Sequence, residues 1–231
     1  MFSTFMTFEQ VPQMITNFMA NLSDSPVVLL LVINVFLLIV GCILLRFSKF
    51  SGRQEEAHQI NAACEAYRDE VSSEAAQYDM SDYVDLILAV MMQESSGQGT
   101  DPMQSSEGAY NTRYPQQPNG ITDPSYSISC GIQELKYALD KAGCTGPTDL
   151  SKIRLALQAY NFGADSYFAY LEENGQTVWT AQSAQAFAQM ASGNTQRDED
   201  DPLHDPAGPW DYGDQYYPDH VLRYYHLDNN S

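Results

Sequence analysis

Nineteen consecutive residues without a charge, "VVLLLVINVFLLIVGCILL" from Val27 to Leu45, divide this chain before any other feature does. About 20 apolar residues cross a bilayer as a helix, and a buried core helix is rarely apolar on every face at that length. The run therefore predicts one transmembrane helix over 27–46. It separates a Met- and Phe-rich leader (1–26) from a short polar tether (47–59) and a domain over 60–231. Arg46, Lys49 and Arg53 follow the span, whereas the first 26 residues hold no Lys or Arg. That asymmetry alone would leave the C-terminal part in the cytoplasm. A cleaved signal peptide does not fit, because the basic start and the small-residue cleavage site are missing. "IVGC" faintly resembles a lipobox, but the apolar run continues past Cys42.

The domain is acidic. Across the chain 30 Asp and Glu face 11 Lys and Arg, for a net charge of -19. Phosphate backbones would be repelled, so nucleic acid is excluded as a partner.

Helical signals dominate and no stretch alternates convincingly as a strand. Residues 55–78 favour helix. Ser81 is placed to cap a helix over 82–94, where Val84, Ile87, Leu88 and Met91 share one face. A long Gly-, Ser-, Pro- and Asn-rich loop covers 95–127, a length that is usually functional inside a compact domain. Further helices are predicted over 128–142, 149–161, 164–173, 181–191 and 218–226, with an acidic loop at 193–213. The domain is therefore expected to be mainly α. Cys130 and Cys144 flank one predicted helix and could bridge in an oxidising compartment, or stay as two thiols. Neither Cys64 nor Cys130 has a convincing histidine partner. His58, His204, His220 and His226 lack metal-ligand spacing, so no metal or other cofactor is called for, and His220 and His226 read as surface residues.

Glu94 ends the helix "LILAVMMQE". There it faces the negative end of the helix dipole, and partial burial would strip its solvation. Both effects favour the protonated acid, the form that can protonate a glycosidic oxygen. Asp101 follows seven residues later. As a base it could activate water on the far face of a sugar; before Pro102 it could equally be a turn residue.

Three short strings occur in order: Glu94-Ser95 at a helix end, "GIQ" (131–133) opening a helix, and "AYNFG" (159–163). This order and spacing resemble soluble lytic transglycosylases and goose-type lysozymes. Within that group, "ESSGQGTDPMQSSEG", "DPSYSISCGIQEL" and "YGDQYYPDHVLRYY" are similar to the CwlT-like lysozyme domain of cell-wall hydrolases carried by conjugative elements of Gram-positive bacteria. The resemblance covers about residues 60–226. It implies a lysozyme-like helical fold and cleavage of the MurNAc-β-1,4-GlcNAc bond of peptidoglycan, during wall opening for a conjugative transfer apparatus. Glu94 matches the family's catalytic glutamate and Asp101 its second acid. Gln133, Tyr160 and Asn161 match groove positions, and Gln104 and Ser105 belong to the groove-facing DPMQSSE segment. The tyrosine-rich ending is expected to close the domain through Val221, Leu222 and Tyr225, with one tyrosine near the glutamate. Two-domain members add a cysteine endopeptidase, which has no counterpart in this sequence, so action on glycan strands alone is expected. Peptidoglycan lies outside the membrane, so the resemblance puts the domain there, against the charge bias. Two routes stay open, hydrolysis and a transglycosylase reaction through Glu94 alone. A non-catalytic glycan-binding or scaffold module is a third reading.

Overall fold

A computed structural model describes residues 58–201 and 204–226; the predicted leader, membrane span and most of the tether lie outside them. Among the described residues no helix is long and apolar enough to cross a membrane. The described chain is helical, with one isolated antiparallel bridge between Gln196 and Trp210.

Among the described residues eight α-helices follow one another: α1 (Ala62–Glu65), α2 (Arg68–Gln77), α3 (Val84–Ser95), α4 (Pro124–Ala142), α5 (Leu150–Phe162), α6 (Ala164–Glu173), α7 (Ala181–Ala191) and α8 (Tyr217–Leu222). The predicted helix over 55–78 is broken at Ala66–Tyr67. Asn61 caps its first piece, accepting the Cys64 N–H at 2.8 Å. Ser81 makes no cap; it opens a single 3-10 turn, and α3 starts without a side-chain cap. Helix α4 begins four residues before the predicted start because Pro124 occupies the first turn and Asp123 caps it by accepting Tyr126 N–H. Thr180 and Ser183 form a reciprocal capping box that starts α7 where the Ala/Gln run begins.

Helix α3 is the axis of the domain. Leu86, Ile87, Leu88, Ala89, Val90 and Met91 are all fully buried, so every face of the helix is covered, not one stripe. It packs against α1, α2 and α8, while α5 packs against α4, α6 and α8. Of the expected α5 face, Ile153 and Leu157 are buried but Leu150 stays exposed. Behind α5 lies a ring cluster of Phe162, Tyr167, Phe187 and Tyr212. Helix α3 stops at Ser96, which takes the left-handed conformation (φ 56°). The next residue, Gly97 (φ 72°), lies so close to α1 that a Cβ would sit 2.8 Å from the Cys64 backbone nitrogen. Glycine is thus required for the chain to turn off the helix end without pushing α1 away.

Of the two readings left open for Cys130 and Cys144, the structure has the two thiols and not the bridge. Cys64, Cys130 and Cys144 are all free. Cys130 lies buried inside α4 and Cys144 follows Gly143, the residue that caps its far end. Fourteen positions at the helical rise put the two about 20 Å apart, several times the separation a disulfide spans.

Candidate active site

Glu94 sits on the last turn of α3, half-buried, at one end of that rigid core. Tyr217, the first residue of α8 and itself buried, donates its phenol O–H to Glu94 Oε1. The Tyr217 ring stacks with that of Tyr160 on α5, centroids 6.3 Å apart, and Tyr160 Oη donates to the Met103 carbonyl at 3.0 Å. Three helices and the 101–106 loop therefore converge on one carboxyl group. Burial drives the Glu94 proton affinity up, the Tyr217 hydrogen bond pulls it down, and the charges of Asp214 and Asp101 raise it again. The net position is about 7. Burial also holds both tyrosines well above the ordinary phenol range, so they remain O–H donors.

Asp101 comes close enough for its charge to be felt at Glu94, yet its oxygens are occupied. Oδ1 accepts Ser105 N–H at 3.1 Å and Ser127 Oγ–H at 2.6 Å. Oδ2 accepts Ser106 N–H at 3.2 Å and the Ser106 hydroxyl. With 1 % exposure and four donors on its roughly four lone-pair sites, Asp101 ties the 101–106 loop to the start of α4. Ser105 is likewise buried, its hydroxyl donating to the Ser127 carbonyl at 2.9 Å, so it does not face a groove. Gln104 differs from both. It is exposed, takes φ 48°, and lines the same cleft as Glu94.

That cleft measures about 790 Å³ and combines Glu94 and Gln104 with Asn161, Asp214 and His220. One wall comes from the acidic 193–213 loop, through Arg197, His204 and Asp205. Buried His204 Nδ1 has no protein partner among the described residues. Asn161 is in the cleft as expected, but its Oδ1 accepts the Asp214 backbone N–H at 2.7 Å. Tyr160 supports Tyr217 rather than lining the cleft. Gln133 is outside it too, with its amide turned back on its own helix to the Ser129 carbonyl at 3.1 Å. The next residue, Glu134, is turned toward the 108–110 loop. It accepts N–H groups of Ala109 and Tyr110, and its carboxylate fills the space a Gly108 side chain would need. Burial raises its proton affinity, those backbone bonds lower it, and Asp101 and Glu94 raise it, to about 7.

Sequence reasoning missed Asp214 and His220, which both line the cleft. His220 was expected at the surface; it lines the cleft with Nδ1 2.5 Å from Asp214 Oδ2, a contact that raises its proton affinity. The tyrosine expected near the glutamate is Tyr217. Among the described residues no group of three or more His, Cys, Asp or Glu could hold a metal ion.

A helical domain holding a half-buried, proton-retaining glutamic acid at a polar cleft has the equipment of a lysozyme-type enzyme, a glycoside hydrolase or lytic transglycosylase. The chain belongs to the Lysozyme-like family, whose profile matches residues 62–225. It is 36% identical over 173 residues to the bifunctional muramidase/DL-endopeptidase CwlT of Bacillus subtilis, covering 75% of this chain and 43% of that protein. It is also 40% identical over 111 residues to the uncharacterized membrane protein YocA of Bacillus subtilis, covering 48% of this chain and 45% of that one. Pneumococcal vaccine antigen A of Streptococcus pneumoniae is 33% identical, over 51% of this chain and 53% of its own length. The chain thus spans about half the length of the curated relatives it matches. Among solved structures, a protein similar to a lipoprotein of the NLP/P60 family from Staphylococcus aureus superposes with a TM-score of 0.62. It is 26% identical and covers 75% of this chain and 56% of its own. Residues 1–48 separately match the DctM component of tripartite ATP-independent periplasmic transporters.

Proposed function

We propose that this chain cleaves the glycan strands of peptidoglycan at the MurNAc-β-1,4-GlcNAc bond, with Glu94 as the general acid. The observation that carries this reading is the Glu94 carboxyl itself. It is desolvated, lies in an open cleft and still holds its proton near neutral pH. A neutral carboxylic acid there can protonate the glycosidic oxygen as the bond to C1 breaks, typically a 10²–10⁴-fold acceleration. Gln104 and the Asn161 amide offer uncharged hydrogen-bonding groups suited to N-acetyl and hydroxyl groups.

The full chain, solubilised in detergent, should release soluble fragments from purified cell walls, and Glu94→Gln should reduce that release at least 10²-fold. A Glu94→Gln variant as active as wild type would leave a binding module and no glycosidase. The transglycosylase route needs only Glu94, whereas hydrolysis needs a base for the water, and the occupied oxygens of Asp101 speak against Asp101 in that part. The mass of the products separates the routes: hydrolysis leaves a reducing muramic acid, and the other route an anhydro-sugar lighter by one water.

For the apolar run 27–45 we retain the role of a membrane anchor that holds the domain outside the cell, where local wall opening would serve a conjugative transfer apparatus. The YocA and DctM similarities favour a membrane location. Protease added to intact protoplasts should digest the domain; a protected domain would put it inside and remove its substrate.

A further inference from the structure

We infer that Asp214, not Asp101, is the second carboxylate acting on the reacting sugar. The inference rests on the reading of Glu94 as the general acid. Besides Glu94, three carboxylates line the cleft: Glu107, Asp205 and Asp214. Glu107 is exposed, and Asp205 serves its own loop by accepting Ala207 N–H at 2.8 Å. Asp214 is held at four points. Its N–H donates to Asn161 Oδ1 (2.7 Å) and its carbonyl accepts from Gln158 Nε2 (2.8 Å). Its Oδ1 accepts Tyr216 N–H (2.9 Å), and its Oδ2 meets His220 Nδ1 (2.5 Å). Gln158 is fully buried and is fixed in turn by Trp179 Nε1 at 2.9 Å. The preceding residue must be glycine. At Gly213 (φ 49°) a Cβ would lie 2.6 Å from the Phe162 ring and 2.7 Å from Asn161 Oδ1.

The hydrogen-bond count separates the two aspartates. Asp101 receives four donors, which fill both oxygens. Asp214 receives two, one on each oxygen, so each oxygen keeps a lone pair. A carboxylate that is rigidly placed, half-filled and in the same cleft as the acid is equipped to act as a base. Immobilising it beforehand also removes reorganisation from the reaction step. In the step we assign, Glu94 gives its proton to the leaving glycosidic oxygen as the C1–O bond breaks. A water oxygen bonds to C1 while one of its protons passes to Asp214. The products are a free reducing end and a free 4-hydroxyl. Glu94 is left as carboxylate and Asp214 as acid, and exchange with solvent resets both.

Kinetics of the full chain on soluble glycan strands test this. Asp214→Asn keeps an acceptor for Tyr216 N–H and should lower kcat by about 10²–10³-fold with KM within about twofold. In Asp214→Ala, sodium azide should restore turnover and appear in the product as a glycosyl azide, while Asp101→Ala should gain nothing from azide. Thermal melts confirm that each variant is folded. Wild-type kcat in Asp214→Asn, absence of the azide product from Asp214→Ala, or its appearance with Asp101→Ala would each overturn the assignment. An inactive Glu94→Gln beside an active Asp214→Asn would remove this inference and leave the general acid in place.

Discussion

Glu94 and Tyr217 meet across a single hydrogen bond in which two effects oppose each other. Desolvation favours the neutral acid, and the phenol O–H, donated to Oε1, favours the carboxylate. Catalysis by a proton donor requires the neutral form, so activity should fall as pH rises through about 7. Tyr217→Phe removes the group that stabilises the ionised form and leaves the burial intact. The proton affinity then rises and the alkaline limb of the pH–rate profile moves upward, by about one pH unit for a charged hydrogen bond of ordinary strength. A limb that stays in place or moves to lower pH would show that Tyr217 acts on something other than the carboxyl proton. The same pair explains why the site includes a second tyrosine. Tyr160 stacks on Tyr217 and anchors to the Met103 carbonyl, so the donor's ring position is set by α5 and by the loop as well as by α8.

At the scale of elements, what could be read from the sequence follows from how local the determinants are. The helices over 164–173 and 181–191 have the predicted bounds because their signals are local: Gly163 immediately precedes the first, and Thr180 with Ser183 forms the capping box of the second. Glu94 was legible because the apolar spacing before it fixes both a buried helix and where that helix stops. The remaining site residues depend on contacts that no periodicity encodes. Tyr217 reaches Glu94 across 123 positions, Asp214 reaches Asn161 across 53, and Ser127 reaches Asp101 across 26. A seven-residue interval between two acids carries no information about how many serines will close around the second. Gln133 illustrates the side-chain version of the problem. A motif places the residue on its helix, but its amide turns back to the Ser129 carbonyl through a rotamer that the sequence does not show. The choice between a Cys130–Cys144 bridge and two thiols stayed open for a related reason. A cysteine inside a long helix and one just past its end are close in the sequence and far apart in space.

Taken as a whole molecule, the domain gives up stability at two of its carboxyl groups as pH rises. Glu94 and Glu134 both shift from an ordinary carboxyl value of 4.5 to about 7 on folding. Between those values the folded state keeps protons that the unfolded chain has released. Their contribution is therefore complete below about pH 4.5, declines as pH rises, and is lost above about 7. The full shift corresponds to about 3 kcal/mol per group, and residual hydration in an open cleft reduces that to roughly 1–2 kcal/mol. Glutamine cannot ionise and can still accept the Tyr217 hydrogen bond. Glu94→Gln should therefore melt about 2–8 °C above wild type at pH 8 and within about 1 °C of it at pH 4, while lacking activity. Glu134→Gln should show the same pH dependence, and the double variant should flatten the curve of melting temperature against pH. Calorimetry of the full chain from pH 4 to 8 provides the comparison. If Glu94→Gln melted below wild type at pH 8, the carboxyl would be stabilising the fold in its charged form. The acid would then be ionised in the resting enzyme and unable to give a proton to the glycosidic oxygen.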